Sequence, residues 1–106
     1  MNDMNNTRFT VLIVDDEEFN LDLIEEFLDM DGIGCVRAGD GETALRILAD
    51  DGHQRFSAVV LDRMMPGIDG IEVIKRIKSN PDMINMPIIM QTAMARKENM
   101  LEGLAA

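Results

Sequence analysis

The sequence predicts an α/β fold, a doubly wound parallel sheet with helices on both faces. Three observations carry that expectation. Four short and nearly all-apolar runs recur along the 106 residues, and they give way to Asp15, Gly39, Asp62 and Thr92 in turn. Between them lie stretches whose apolar residues fall three or four apart, the period of a helix with one buried side. The connections are short. Strands buried by helices on both faces need no polar alternation, and parallel neighbours need helical crossovers.

Each element has its own signals. Met1 to Arg8 is polar and reads as a flexible N-terminal segment, 1–8, ahead of one domain over 9–106. Phe9 to Val14, FTVLIV, is β-branched, continuous and ended abruptly by Asp15-Asp16-Glu17-Glu18. Asn20 to Met30 then carries Leu21, Ile24, Phe27 and Leu28 as one apolar stripe, with acidic residues at the helix's positive end. Asp31-Gly32 stops it. Ile33 to Ala38 is the second strand, and Gly39-Asp40-Gly41 turns into a helix over Glu42 to Asp50 with Ala44, Leu45 and Leu48 inward. Phe56 to Leu61 is the third strand, running into Asp62. Asp69 can cap a helix over Gly70 to Ser79 that buries Ile71, Ile74 and Ile77, and Asn80-Pro81-Asp82 breaks it. Met86 to Gln91, with Pro87 at its beginning, is the fourth strand. A last helix runs from Ala95 or Arg96 to Ala106, marked by Met100, Leu101 and Leu104. Right-handed crossovers put the ends of the first, third and fourth strands on one edge of the molecule.

Composition narrows the function. Length supports one domain, and 46% apolar residues supply an ordinary core. No apolar run is long enough for a membrane span, and a polar start carrying Asp3 is wrong for a secretory signal. The single cysteine, Cys35, makes no disulfide framework and reads as a small buried hydrophobe of a cytoplasmic protein. A formal net charge of −10 argues against direct nucleic-acid binding, and four aromatics, all Phe, leave no stacking platform for bases. The charge fits a partner with a basic face, or a cation held by clustered carboxylates.

The chemistry centres on Val59 to Gly70, VVLDRMMPGIDG. A strand ends in Asp62 and Pro66-Gly67 turns the chain behind it. Open α/β sheets place their chemistry at the carboxyl ends of strands. By itself the stretch reads equally well as an aspartate that only turns the chain. The parallel order changes the balance, because it gathers Asp15-Asp16, Asp62 and Thr92 at one edge. Three carboxylates in one crevice repel one another, and a cation relieves that repulsion. Oxygen ligands without Cys or His point to Mg²⁺, which binds a few carboxylates and keeps positions for water and phosphate.

With these residues in hand the chain resembles the receiver domains of two-component response regulators, the family of the chemotaxis protein CheY. The marks are the acidic pair in VLIVDDEEFN, the block LDRMMPGIDG and the hydroxyl-small pair in IIMQTA, in the right order and on the right elements. The resemblance implies a flavodoxin-like receiver fold and a phosphoryl group taken onto Asp62 from a sensor histidine kinase or a histidine phosphotransfer protein. It implies Mg²⁺, with Mn²⁺ an acceptable substitute, held by Asp16 directly, Asp15 largely through water, Asp62, and the backbone carbonyl of Met64. Thr92 would donate its hydroxyl to a phosphoryl oxygen, and Ala93 would leave room and offer its backbone N–H. Pro66 and Gly67 would shape the loop beneath the site, with Glu17 beside it or on the surface. Phosphorylation would then switch affinity for an output domain or a downstream protein.

The family pattern continues with a fifth strand, a lysine at its end and a fifth helix, whereas this sequence stops at Ala106. The expectation is therefore a receiver fold lacking its last β-α unit, poor at taking up phosphate alone, with an open sheet edge that a homodimer or a domain swap can fill. Lys75, Lys78 and Lys97 lie on the wrong elements to replace the lysine and read as surface charges. His53 reads as a surface loop residue and Arg63 as surface. Met86, Met90 and Met100 read as core or rim, and Met64 and Met65 as loop. Two other readings compete with the signalling receiver. A Mg²⁺-dependent phosphohydrolase with an aspartyl-phosphate intermediate would want a second aspartate two residues after the nucleophile, where Met64 stands. A pseudo-receiver would only bind a partner: the intact Asp15, Asp16, Asp62 and Thr92 argue against lost chemistry in a longer parent protein, the expected source of this chain, while the missing lysine suits that reading to these 106 residues.

Overall fold

Among the described residues, four parallel strands form the sheet in the order β2-β1-β3-β4, where β1 is Thr10–Val14, β2 Gly34–Ala38, β3 Ala58–Asp62 and β4 Ile88–Gln91. The computed structural model describes residues 9–50, 52–63 and 65–91. The expected polar start, Met64, Thr92, Ala93 and the last helix with Lys97 and Met100 lie outside the described residues. Three helices separate the strands: α1 (Glu18–Met30), α2 (Gly41–Asp50) and α3 (Gly70–Lys78). The doubly wound parallel α/β architecture is the one expected. Among the described residues β4 is an outer strand, and no helix is long and apolar enough to cross a membrane.

The strands alternate their burial between two layers. Leu12, Val14, Val59 and Leu61 meet Ala44 and Leu48 of α2 and Val73 and Ile77 of α3, in the larger core. Val11, Ile13 and Val60 face the other way, where Leu21, Ile24 and Leu28 of α1 cover them. Ile89 sits in register with Val60 and is 56% exposed.

Helix burial departs from the expected stripes in two places. On α1 the buried line is Leu21, Ile24 and Leu28, while Phe27 is 64% exposed. Phe19, Leu23, Phe27 and Met30 form a second apolar line on solvent. On α3 the buried line is Gly70, Val73 and Ile77, so Val73 takes the place foreseen for Ile71, which is exposed. In each case the buried residues step by three and then four along the helix, keeping one face toward the sheet.

The ends of the helices follow local chemistry. After α1, Gly32 takes a φ of 74°, and its N–H donates to the Asp29 carbonyl at 3.0 Å. That left-handed conformation suits glycine and ends the helix. Asp69 accepts from the Glu72 N–H at 3.0 Å and caps α3 as foreseen. A short 3-10 turn, His53–Arg55, precedes β3 and places the half-buried His53 there. Lys78 is more than a surface charge. Its Nζ donates to the carbonyls of Ile84 and Met86, each at 2.8 Å, and ties down the segment leading into β4. Met65 lies in the loop after β3, as expected, and its side chain is buried in the core together with Met86, which was assigned there.

Asp40 caps α2, accepting the Thr43 N–H at 2.7 Å. The Thr43 backbone N–H first, and its hydroxyl second, hold the Asp40 carboxyl below its ordinary value. A carboxyl depressed in the folded state stabilises the fold above its unfolded pKa, near 4, and that contribution fades as pH falls through the folded value. Asp40→Ala is expected to cost about 1 kcal/mol near neutral pH. Urea titrations should show the gap to wild type narrowing below about pH 4, with Asp40→Asn keeping most of the cap throughout.

Candidate metal and phosphoryl site

Two of the site's carboxylates are placed by the sheet itself. Asp15 follows β1 directly, and its N–H extends the ladder to the Ala38 carbonyl at 3.1 Å. Asp62 is the last residue of β3, paired in register with Gln91 of β4. Because β1 and β3 are adjacent and parallel, with Val14 opposite Leu61, the two chain exits lie side by side. Asp16 opens the turn between β1 and α1 and brings a third carboxylate to the same place.

One ligand oxygen from each of Asp15, Asp16 and Asp62 lies within 4.8 Å of the others. Asp15 is 3% exposed and Asp62 8%, while Asp16 is exposed. Clusters of acidic groups on open surface need no ion, but two of these three are withdrawn from water, where like charges are screened less. A hard divalent cation suits this donor set of oxygens, and the three residues fit it. The cluster is able to chelate such an ion. Asp16, open to solvent, leaves a side from which water and a phosphoryl donor can approach.

Residues beyond the three carboxylates also build the site. Oδ1 of Asp15 accepts the Glu17 N–H at 2.9 Å and the Asn20 amide at 3.5 Å. These donors fix the Asp15 side chain from the first turn of α1. The Glu17 side chain makes no cap, so its contribution comes from its backbone. Sequence reasoning missed Asn20, although an amide five residues after a strand-end aspartate was a readable sign of a reach-back bond. The loop behind Asp62 turns at Gly67, whose φ of 80° fits the foreseen Pro66-Gly67 turn. Arg63 is exposed, as expected for a surface residue. Cys35 is half-buried beneath α1, and burial first, with the Glu25 carboxylate second, pushes its thiol above the ordinary value. A thiol held protonated is a packing group and a poor nucleophile.

Residues 11–106 match the family described as the response regulator receiver domain. The chain belongs to the response regulator receiver family. This receiver is 36% identical over 95 residues to the phosphate regulon transcriptional regulatory protein PhoB of Pseudomonas aeruginosa, covering 90% of this chain and 40% of that protein. It is 33% identical over 102 residues to the chemotaxis protein CheY-3 of Vibrio cholerae, covering 95% of this chain and 76% of that one. The crystal structure of the N-terminal domain of a receiver protein from Methanoculleus marisnigri superposes with a TM-score of 0.71 at 30% identity, over 86% of this chain and 76% of that one. The receiver thus spans 40% of the length of the PhoB relative. As a family member it is a phosphoacceptor domain whose Asp15, Asp16 and Asp62 form a divalent-cation cluster.

Proposed function

We propose that Asp62 is the phosphoacceptor. The observation that carries this is the convergence of a strand-end, largely buried Asp62 with Asp15 and Asp16 inside 4.8 Å. A carboxylate oxygen of Asp62 attacks the phosphorus of a donor phosphohistidine. The new O–P bond forms as the N–P bond breaks, and the imidazole nitrogen keeps the electron pair. Water later attacks the same phosphorus, releasing phosphate and restoring the carboxylate. Asp15, Asp16 and Asp62 hold Mg²⁺, or Mn²⁺ in its place, which when bound offsets charge on the phosphoryl oxygens. By resemblance, the Met64 carbonyl completes the protein ligands, the Thr92 hydroxyl donates to the phosphoryl group and the Ala93 N–H supports it.

The partner in this reading is a sensor histidine kinase or a histidine phosphotransfer protein in the cytoplasm, and the readout is an output domain or a downstream protein. Among the described residues β4 is the outer strand, and Ile89, in register with Val60, is exposed; both support a further strand there, from a longer parent protein or from a second copy in a homodimer or swap.

Acetyl phosphate replaces the protein donor in the test. Intact-mass spectrometry should show a single added phosphoryl group, at the low occupancy expected of these 106 residues alone, with Mg²⁺ and none once EDTA removes the metal. Hydroxylamine should strip the label, because it cleaves acyl phosphates. Labelling that survives hydroxylamine, or that is equal in EDTA, would overturn the assignment.

A further inference from the structure

We propose that Gly70 is a positioning residue for the carboxylate cluster. Its missing Cβ lets α3 begin directly against the backbone of Asp62, and that contact holds Asp62 toward Asp15 and Asp16. The proposal rests on the reading of the three carboxylates as one cation site.

The geometry is specific to backbone. A Cβ built on Gly70 would lie 2.7 Å from the Asp62 carbonyl oxygen, 2.8 Å from the Arg63 Cα and 3.3 Å from the Asp62 carbonyl carbon. None of those atoms can swing aside as a side chain would. The Gly70 N–H donates to the Arg63 carbonyl at 2.9 Å, so the helix start is bonded to the strand exit it touches. Gly70 is buried and lies on the same line of α3 as the buried Val73 and Ile77, which fix the helix to the core. An added methyl must therefore move either the packed helix or the exit of β3. The exit carries Asp62, whose oxygen lies within 4.8 Å of the other two, close enough to share one ion.

Gly41 supplies the contrast. A Cβ there would also meet atoms at 2.7 Å, but they are the Cγ1 of Ile68 and the Cγ2 of Val73, side-chain atoms. Gly41→Ala crowds the same loop and helix from below without touching Asp62.

The test compares Gly70→Ala and Gly41→Ala with wild type in the full chain. Magnesium titration by calorimetry should show affinity falling at least about tenfold in Gly70→Ala and staying within about threefold in Gly41→Ala, although both lose stability in urea. In EDTA, amide NMR shifts should change at Asp15, Asp16, Asp62 and Arg63 in Gly70→Ala, and around Ile68 and Val73 in Gly41→Ala. Coupling is reciprocal, so the wild type gives a further measurement. Added Mg²⁺ should slow hydrogen exchange of the Gly70 amide more than that of the Ala44 amide, which bonds Asp40 at the start of α2. Equal loss of metal affinity in both variants, or unmoved resonances at Asp15 and Asp16, would overturn the proposal. So would equal slowing of the two wild-type amides. Wild type that binds no Mg²⁺, with the NMR shifts as expected, would overturn the cation reading while leaving Gly70 as the residue that positions Asp62.

Discussion

Asp62→Asn is expected to reduce acetyl phosphate labelling to background while the fold persists. The substitution keeps the size and planarity of the side chain at an 8% exposed position. It removes the anionic oxygen that forms the bond to phosphorus and one of three charges that attract a cation. Magnesium affinity should fall at least about tenfold, equivalent to roughly 1.4 kcal/mol. Stability should move the other way when no metal is present. Removing one of three crowded like charges relieves repulsion, so the variant in EDTA should unfold at a urea concentration no lower than wild type. Calorimetry, urea titration and intact mass read these effects separately. Labelling of Asp62→Asn at the wild-type level would sink the acceptor assignment.

Leu12→Ala carries the largest expected loss of stability. Leu12 lies at the middle of β1, flanked by Val36 on β2 and Val59 on β3, and is fully buried. It stands in the core that α2 and α3 close over. A central strand between two others has little room to collapse into the space left by the missing methyl groups. A cost of about 3 to 4 kcal/mol is expected, within the range for buried leucines. Domains of this size are stable by only about 5 to 15 kcal/mol, so the midpoint in urea should fall markedly at unchanged slope. The chain has no Trp or Tyr, so far-UV circular dichroism is the suitable probe. A loss below about 1 kcal/mol would mean that this face is not a packed core.

Much of the molecule was legible before its structure. The runs FTVLIV and SAVVL are apolar without alternation, and burial on both faces of a parallel sheet is what they form. Strand starts were less legible. The third and fourth strands begin two residues later than expected, at Ala58 and Ile88, because Phe56 and Met86 are buried without joining the ladder. Apolar character reports burial, and pairing is a separate condition.

The helix faces show the same limit. Glu18–Met30 carries two apolar lines, and periodicity favours neither. The docking of α1 on Val11 and Ile13 selects Leu21, Ile24 and Leu28 and leaves Phe27 outside. Gly70 is plainer still. In sequence, Asp69-Gly70 is a cap and a helix start, and nothing local records the carbonyl of Asp62 beneath it.

The sequence by itself determined the order of strands and helices, the three carboxylates at strand exits and the oxygen-only chemistry that a hard cation meets. Those features are carried by residue type, by continuous apolar runs and by the 3.6-residue helical period, which are local. Tertiary structure decided which apolar line each helix buries, and that α3 starts in contact with the Asp62 backbone. Both depend on the close packing of segments distant in sequence, where the gap left by a single missing Cβ decides what can touch.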